Sequence, residues 1–168
     1  MSFDHSLSGY AMLRKEVDLD GAIEVVTPLF GYFGLENGAI RAVLLGESNG
    51  PSGTEARFNK DTSELYFYTS GSVNSAFDDV IKETVRRLNG AADTAGTLTL
   101  KDYDTADLEN AVTHFWFGPS EQSIMDGKFN NNLTIATALL AEVLGNDEAY
   151  RLAAEARIVY AAQRAAKQ

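Results

Sequence analysis

The segment TEARFNKDTSELYFYT (residues 54–69) carries the strand pattern that decides the fold class of this chain. Before Asp61, Phe58 is flanked by polar and charged residues. After Asp61, Leu65 and Phe67 alternate with Glu64, Tyr66 and Tyr68. A period of two is typical of strands with one buried face, and a short polar connection between two such runs is typical of a hairpin. We therefore predict two antiparallel strands in this segment.

A helix is predicted directly after the hairpin, over residues 73–89. Ser75 and Asp78 resemble a capping box near its start, and Asn89-Gly90 is typical of a helix end. Its apolar residues recur at helical spacing: Val73, Phe77, Val80, Ile81, Val85 and Leu88. Such a stripe indicates a helix that covers one face of a sheet.

The N-terminal part of the chain gives weaker signals. We predict a flexible leader over residues 1–9 and strands over residues 10–17 and 39–47. Residues 18–34 are compatible with a helix by their apolar spacing and with a strand by their β-branched run. A helix that ends or kinks near Pro28 is slightly favoured.

The C-terminal part is predicted to be helical after a strand over residues 96–103. Helices are expected over residues 105–117, over 132–144 and from 146 to about 166. Acidic residues at the start of the last helix and basic residues at its end match the helix dipole.

These elements predict an α+β fold in a single domain. An antiparallel sheet with covering helices spans residues 10–103, and a helical region of about three helices, residues 104–168, packs on the same core. If residues 18–34 are helical, the element order is that of a ferredoxin-like sheet. If they form a strand, the front half is a meander of hairpins backed by the helix over residues 73–89.

The composition of the chain is strongly acidic. Its 24 acidic and 14 basic residues give a net charge of −10, of which residues 1–84 contribute −7 and residues 85–168 contribute −3. Such a surface repels phosphate backbones and anionic lipids, so we expect no direct binding to nucleic acid or membrane. A basic protein partner would be attracted.

The chain has no cysteine, which excludes disulfides, thiolate nucleophiles and thiolate metal sites. The first ten residues lack a signal-peptide pattern, and the sequence has no run of eighteen apolar residues. We therefore expect a cytoplasmic protein without a cofactor or a metal.

The residues closest to a metal-binding pattern are Asp102, Asp104, Asp107 and Glu109. An EF-hand loop that began at Asp102 would need glycine at its sixth position and glutamate at its twelfth. This chain has Asp107 and Thr113 there, so the pattern fails. Capping at the start of a helix explains these acidic residues better.

The one histidine within a predicted element is His114. A histidine beside a carboxylate such as Glu109 or Asp102 is able to act as a general base. Its sequence neighbourhood has no nucleophile elbow. The sequence therefore identifies no catalytic residue and favours a non-enzymatic role.

Four residues are predicted to contact a partner: Phe115, Trp116, Phe117 and Ile158. Neighbours on a helix differ by about 100°, so three consecutive aromatic residues cannot all face one core. Either this helix is buried on several sides or one ring points outward as an anchor. The last helix is apolar on a second face that includes Ile158, and this face is either sandwiched inside the fold or used for self-association.

Three functions follow from these observations. The favoured one is a non-enzymatic protein-interaction or assembly protein, which binds another protein or forms a homo-oligomer through its C-terminal helix. The alternative is an acidic inhibitor that mimics nucleic acid and occupies a basic groove of its partner. The least favoured is a small enzyme that uses His114.

Overall fold

The computed structural model describes residues 2–51, 53–104 and 111–166, which contain five strands and five helices. In chain order these are β1 (Ser2–Met12), α1 (Leu19–Tyr32), α2 (Asn37–Leu44), β2 (Thr54–Asn59), β3 (Glu64–Asn74), α3 (Phe77–Ala91), β4 (Gly96–Asp102), β5 (Val112–Phe117), α4 (Glu121–Leu144) and α5 (Asn146–Ala165). The chain forms two compact units, Met1–Ile124 and Met125–Gln168. The sheet belongs to the first unit, and most of α4 with all of α5 belongs to the second.

The five strands form one antiparallel sheet in the order β2-β3-β1-β4-β5, with β1 at its centre. β1 pairs with β3 along its whole length and with β4 through residues 5–9. Leu7 and Ala11 of β1 are buried, whereas Tyr10 is half exposed. This alternation places one face of the sheet in the core and leaves the other face open.

Helices α1 and α3 pack against each other, and their apolar rows fill the core. Val26, Leu29 and Phe30 of α1 are fully buried, as are Ile81 and Leu88 of α3. Burying a side chain of this size contributes about 1.5–3 kcal/mol. The core between these helices and the sheet is therefore the main source of stability in the first unit.

Helix α1 continues through Pro28 because α3 replaces the hydrogen bond that the proline removes. Proline has no N–H group, so the carbonyl of Glu24 has no helical donor four residues later. Arg87 of α3 donates to this carbonyl at 2.6 Å and is itself held by Glu83 at 2.8 Å. Of the two interpretations of residues 18–34, the helix is confirmed, but its predicted end near Pro28 is wrong, because the helix runs on to Tyr32.

Two glycine–phenylalanine pairs bring neighbouring strands together on the core face. Gly9 of β1 lies opposite Phe67 of β3, and Gly96 of β4 lies opposite Phe117 of β5. A Cβ atom added to Gly9 would lie 2.4 Å from Cζ of Phe67, and one added to Gly96 would lie 2.5 Å from Cζ of Phe117. Each aromatic ring therefore occupies the space above a glycine of the next strand, where no other residue type fits.

His5 lies in the core, where its ring forms a cluster with the rings of Phe33 and Phe77. Its Nδ1 atom is 2.5 Å from the carbonyl of Gly71, and since a carbonyl only accepts, Nδ1 carries the proton. Thr69 approaches Nε2 at 3.5 Å. Burial lowers the pKa of His5, against the opposing effects of the Gly71 hydrogen bond and the charge of Asp4.

The lowered pKa of His5 predicts that acid destabilises the first unit. Below pH 6.5 the unfolded chain binds a proton that the folded chain does not, so stability falls with pH until the folded pKa is reached. We therefore expect the free energy of unfolding in urea to decrease between pH 7.5 and 5.5. The variant His5→Asn keeps a donor for Gly71 but does not titrate, and this part of the loss should disappear. Identical losses in both proteins would contradict the assignment.

Two predictions for the N-terminal part are wrong, and the strand predicted over residues 10–17 is confirmed only for residues 10–12, where β1 ends. Residues 2–9 are not a leader but most of the central strand, because their inward positions include His5 and Gly9, which do not look like core residues in a sequence. Residues 39–47 are not a strand, because residues 37–44 form α2 and bury Ile40, Val43 and Leu44 at helical spacing. A short apolar run fits either structure until its neighbours are known.

The predicted hairpin, the α+β class and the strand over residues 96–103 are confirmed, and the predicted helix over 73–89 appears as α3. The helix predicted over residues 105–117 is wrong for 112–117, which form β5, while 105–110 lie outside the described residues. With α2 in place of a strand and β5 added beside β4, the five-stranded order is not ferredoxin-like. In the C-terminal part, α4 begins at Glu121, earlier than predicted.

Candidate interaction surfaces

The aromatic triplet Phe115, Trp116 and Phe117 lies on β5, where the strand separates it onto two faces. Phe117 is fully buried, and Phe115, opposite Leu98, packs against the core. Trp116 points to the open face of the sheet, where it is half-buried and lies opposite Thr97.

The prediction that all three aromatic residues contact a partner is wrong, because they lie on a strand. On a helix, neighbouring side chains would differ by about 100°, whereas on the strand β5 they point to opposite faces. Phe117 is therefore a core residue rather than a surface residue. Phe115, two residues earlier, lies on the same side of β5. Trp116 is therefore the member of the triplet that lies on the open face.

The open face of the sheet is rich in tyrosine and hydroxyl groups. Tyr10 and Tyr66 lie side by side on β1 and β3 and are each about half exposed. Ser6 is buried on this face, and its hydroxyl is joined to that of the exposed Tyr103 by a hydrogen bond of 2.9 Å. This surface has the amphipathic side chains that are common in protein interfaces.

One end of this face holds a fixed negative charge. The hydroxyl groups of Tyr10 and Thr62 donate to Glu64 at 2.5 and 2.6 Å. The pKa of Glu64 is lowered by the hydrogen bonds from Thr62 and Tyr10, and the pKa of Tyr10 is raised mainly by its bond to Glu64. Glu64 therefore stays ionised and Tyr10 stays protonated near neutral pH.

The predicted catalytic neighbours of His114 are only partly described. His114 is exposed on β5, and its Nδ1 atom lies 3.2 Å from the hydroxyl of Thr99. Glu109 and Asp107 lie outside the described residues, and Asp102 lies near the end of β4, opposite His5. Within the described ranges, no three side chains of His, Asp or Glu form a group that could hold a metal ion.

A groove of about 630 Å³ lies beside three arginines, Arg14, Arg86 and Arg87. Arg86 and Arg87 pair with Glu83 at 2.6 and 2.8 Å, and their hydrogen bonds lower the pKa of Glu83 to about 2. Two of the three guanidinium groups are therefore already bound to a carboxylate of the protein. These ion pairs lie within α3 and stabilise the helix.

The second unit consists of most of α4 and all of α5, joined at Gly145, and we call it the hairpin module. Its inner rows hold it together: the rings of Phe129 and Tyr160 stack at 4.0 Å, and Asp126 accepts a hydrogen bond from Tyr160 at 2.9 Å. Asp126 also pairs with Arg164 at 2.9 Å. Ala149 and Ala153 of α5 are buried.

The outer rows of the hairpin module are apolar as well. On α4, Ile135, Leu139 and Val143 follow at four-residue intervals and are 53%, 60% and 81% exposed. On α5, Tyr150 and Ile158 are 65% and 70% exposed. The predicted interaction residue Ile158 is thus an exposed residue of this surface. Residues at such spacing lie on one side of a helix, so each helix carries a second apolar row.

The hairpin module is also electrically neutral. Residues 125–168 contain five acidic and five basic residues, so the whole net charge of −10 lies in residues 1–124. On α4, residues 129–141 (FNNNLTIATALLA) contain no charge at all. The second unit therefore differs from the first in both charge and exposed apolar area.

No family model, curated protein or solved structure matches this chain. Among the described helices, none is both long enough and apolar enough to cross a membrane.

Proposed function

We propose that this chain is a non-enzymatic protein-interaction or assembly protein that binds a protein partner through the outer rows of its hairpin module. The observation that carries the proposal is the exposure of large apolar side chains, including Leu139, Val143 and Ile158, on both helices. The inner rows already join the two helices, so the outer rows are not required to form the hairpin.

The energy of such a contact supports the proposal. Removing a Leu, Ile or Val side chain from water contributes about 1.5–3 kcal/mol, and a few anchors usually dominate an interface. Several exposed anchors are needed because association itself costs at least about 4 kcal/mol. Ile135, Leu139, Val143, Tyr150 and Ile158 supply them.

A second candidate is an acidic inhibitor that occupies a basic groove of its partner. It is supported by the concentration of all net charge, −10, in residues 1–124. Binding of this kind would weaken steeply with salt because it depends on long-range attraction between opposite charges. Within the described residues, the contact of His114 is with the hydroxyl of Thr99, which does not by itself support the enzyme hypothesis.

The two candidates are separated by capturing partners on immobilised chain at about 0.1 M and about 1 M NaCl. A partner of the hairpin module should remain bound at high salt and be lost from the variants Leu139→Glu and Ile158→Glu. The matched control Leu45→Glu changes an exposed leucine of α2's end in the first unit and should retain the partner. Identification by mass spectrometry of the same partners on all four proteins would contradict the proposal.

We propose the cytoplasm as the location of this activity. The chain has no cysteine and depends on no disulfide, which suits a reducing compartment.

A further inference from the structure

We propose that the partner of the hairpin module is a second copy of this chain, bound through antiparallel contact of the two α4 helices. The inference rests on the proposed function and specifies its partner. A twofold axis passes close to Ile135, so that Ile135 meets Ile135 of the other copy. Lys128 of each copy then pairs with Glu142 of the other.

The first argument is the spacing along α4. Lys128, Ile135 and Glu142 follow at seven-residue intervals, which in a helix places them on one face within about 20° per step. Leu139 lies one turn from Ile135 on the same side, and all four residues are exposed. The face is thus an apolar centre with one positive and one negative end.

The second argument is charge complementarity. Lys128 and Glu142 are the charged residues that bound the uncharged segment 129–141, and each lies seven residues from Ile135. Neither has an ion-pair partner within the described part of the chain. Antiparallel pairing about Ile135 brings opposite charges together at both ends, whereas parallel pairing would place Lys128 against Lys128 and Glu142 against Glu142.

The charge distribution also favours the hairpin module over the rest of the chain as the surface for self-association. Two copies of a chain with a net charge of −10 repel each other, and this charge lies entirely in residues 1–124. The hairpin module has a net charge of zero. Contact through it brings together the parts of two chains that do not repel, which argues for self-association here and against a strongly basic partner.

The size of the face is also sufficient. The 20 residues of α4 that belong to the second unit give a helix about 30 Å long, and the two adjacent helices of the module are roughly 20 Å wide. A face of these dimensions, about 600 Å², lies at the lower end of the area that each partner buries in a stable interface. In a twofold-symmetric contact every interaction away from the axis occurs two times. The row on α4 of each copy therefore supplies anchors to both sides of the interface.

Two polar residues lie on this face beside Ile135. Asn131 and Asn132 lie four and three residues before Ile135, at spacings that place them on its side of the helix. Asparagine within an apolar helix interface fixes alignment at some cost in stability. These two residues would disfavour slipped pairings of the two helices.

The test is charge exchange, followed by sedimentation over about 1–300 μM protein, a range that brackets micromolar affinity. We expect the wild type to dimerise and Glu142→Lys and Lys128→Glu each to weaken the dimer about tenfold or more. The double variant, in which both charges are exchanged, should recover wild-type affinity. An equimolar mixture of the two single variants should form heterodimers, because their charges are complementary.

Two further variants locate the contact. Ile135→Glu should weaken the dimer at least about a hundredfold, whereas Leu45→Glu should leave it unchanged. Because the chain has no other cysteine, Ile135→Cys should form a disulfide-linked dimer under mild oxidation, and exposed Lys60→Cys should not. Circular dichroism checks that each variant keeps its helices.

The outcomes also separate this inference from the proposed function. A wild type that stays monomeric throughout the range overturns the inference, as does a dimer that neither charge exchange nor Ile135→Glu affects. In both cases a heterologous partner that binds the wild type but not Ile158→Glu would still support the proposed function. If the wild type neither dimerises nor binds a heterologous partner through the hairpin module, both the inference and the proposed function are overturned.

Discussion

Replacing Gly9 with valine is expected to destabilise the first unit by about 3 kcal/mol or more, the upper end of the cost of overpacking a core. Even one added carbon would lie 2.4 Å from Cζ of Phe67 and 2.7 Å from Cδ2 of Leu98. Both neighbours are fully buried, so neither ring nor methyl group can move into solvent. Urea unfolding followed by the fluorescence of Trp116, which belongs to the same unit, measures the loss.

The matched control is a glycine with open space around it. Gly31 lies in α1, and a Cβ atom there would meet nothing within 4 Å. Gly31→Ala is therefore expected to stabilise the protein by about 0.5–1 kcal/mol, because alanine favours the helix. A Gly9→Val variant within about 0.5 kcal/mol of wild type would show that the strands do not pack as described.

The second large effect is expected at β5, where adjacent residues should respond very differently to truncation. Phe117→Ala removes a fully buried ring that fills the space above Gly96, and should cost about 3–5 kcal/mol. Trp116→Ala removes a half-buried ring from the open face and should cost less than about 2 kcal/mol. Far-UV circular dichroism in urea compares the two without relying on tryptophan.

This pair tests the strand directly, since each variant controls for the other. On a helix, Phe117 and Trp116 would differ little in environment when the helix is buried on several sides. Equal losses of stability at the two positions would contradict the alternation of β5. A larger loss for Trp116→Ala would reverse the assignment of the two faces.

The parts of the fold that were predictable are those whose burial is carried by ordinary apolar residues. Leu65 and Phe67 mark β3, and Ile81 and Leu88 mark α3, at the spacings that their structures require. Here the local pattern and the tertiary environment agree. The C-terminal helix α5 was predictable for a related reason, since its terminal charges match the helix dipole.

The parts that were not predictable depend on partners distant in sequence. His5 and Gly9 belong to the core only because Phe77 and Phe67 surround them. The apolar run of α2 has no period that excludes a strand, and β5 carries consecutive aromatic residues that fit a buried helix equally well. Tertiary packing decides each case.

The candidate surface was partly predictable for a similar reason. Ile158 stood out because it lies on a second apolar face of α5, and it is exposed. The relation between Lys128 and Glu142 was not visible, because a helix that begins near residue 132 excludes Lys128. With α4 beginning at Glu121, the two charges share one helix, and the intervals that relate them to Ile135 become apparent.

The central position of β1 also determines when the sheet can form during synthesis. The strand that leaves the ribosome first pairs with residues up to Asn74 on one side and Asp102 on the other. It therefore stays unpaired until β3 has been synthesised, and its second side stays unpaired until β4 follows; contacts this distant along a chain slow folding. Polar residues of β1, among them Ser6 and Ser8, make this strand hard to recognise in the sequence. The same residues reduce aggregation of the unpaired strand with other nascent chains.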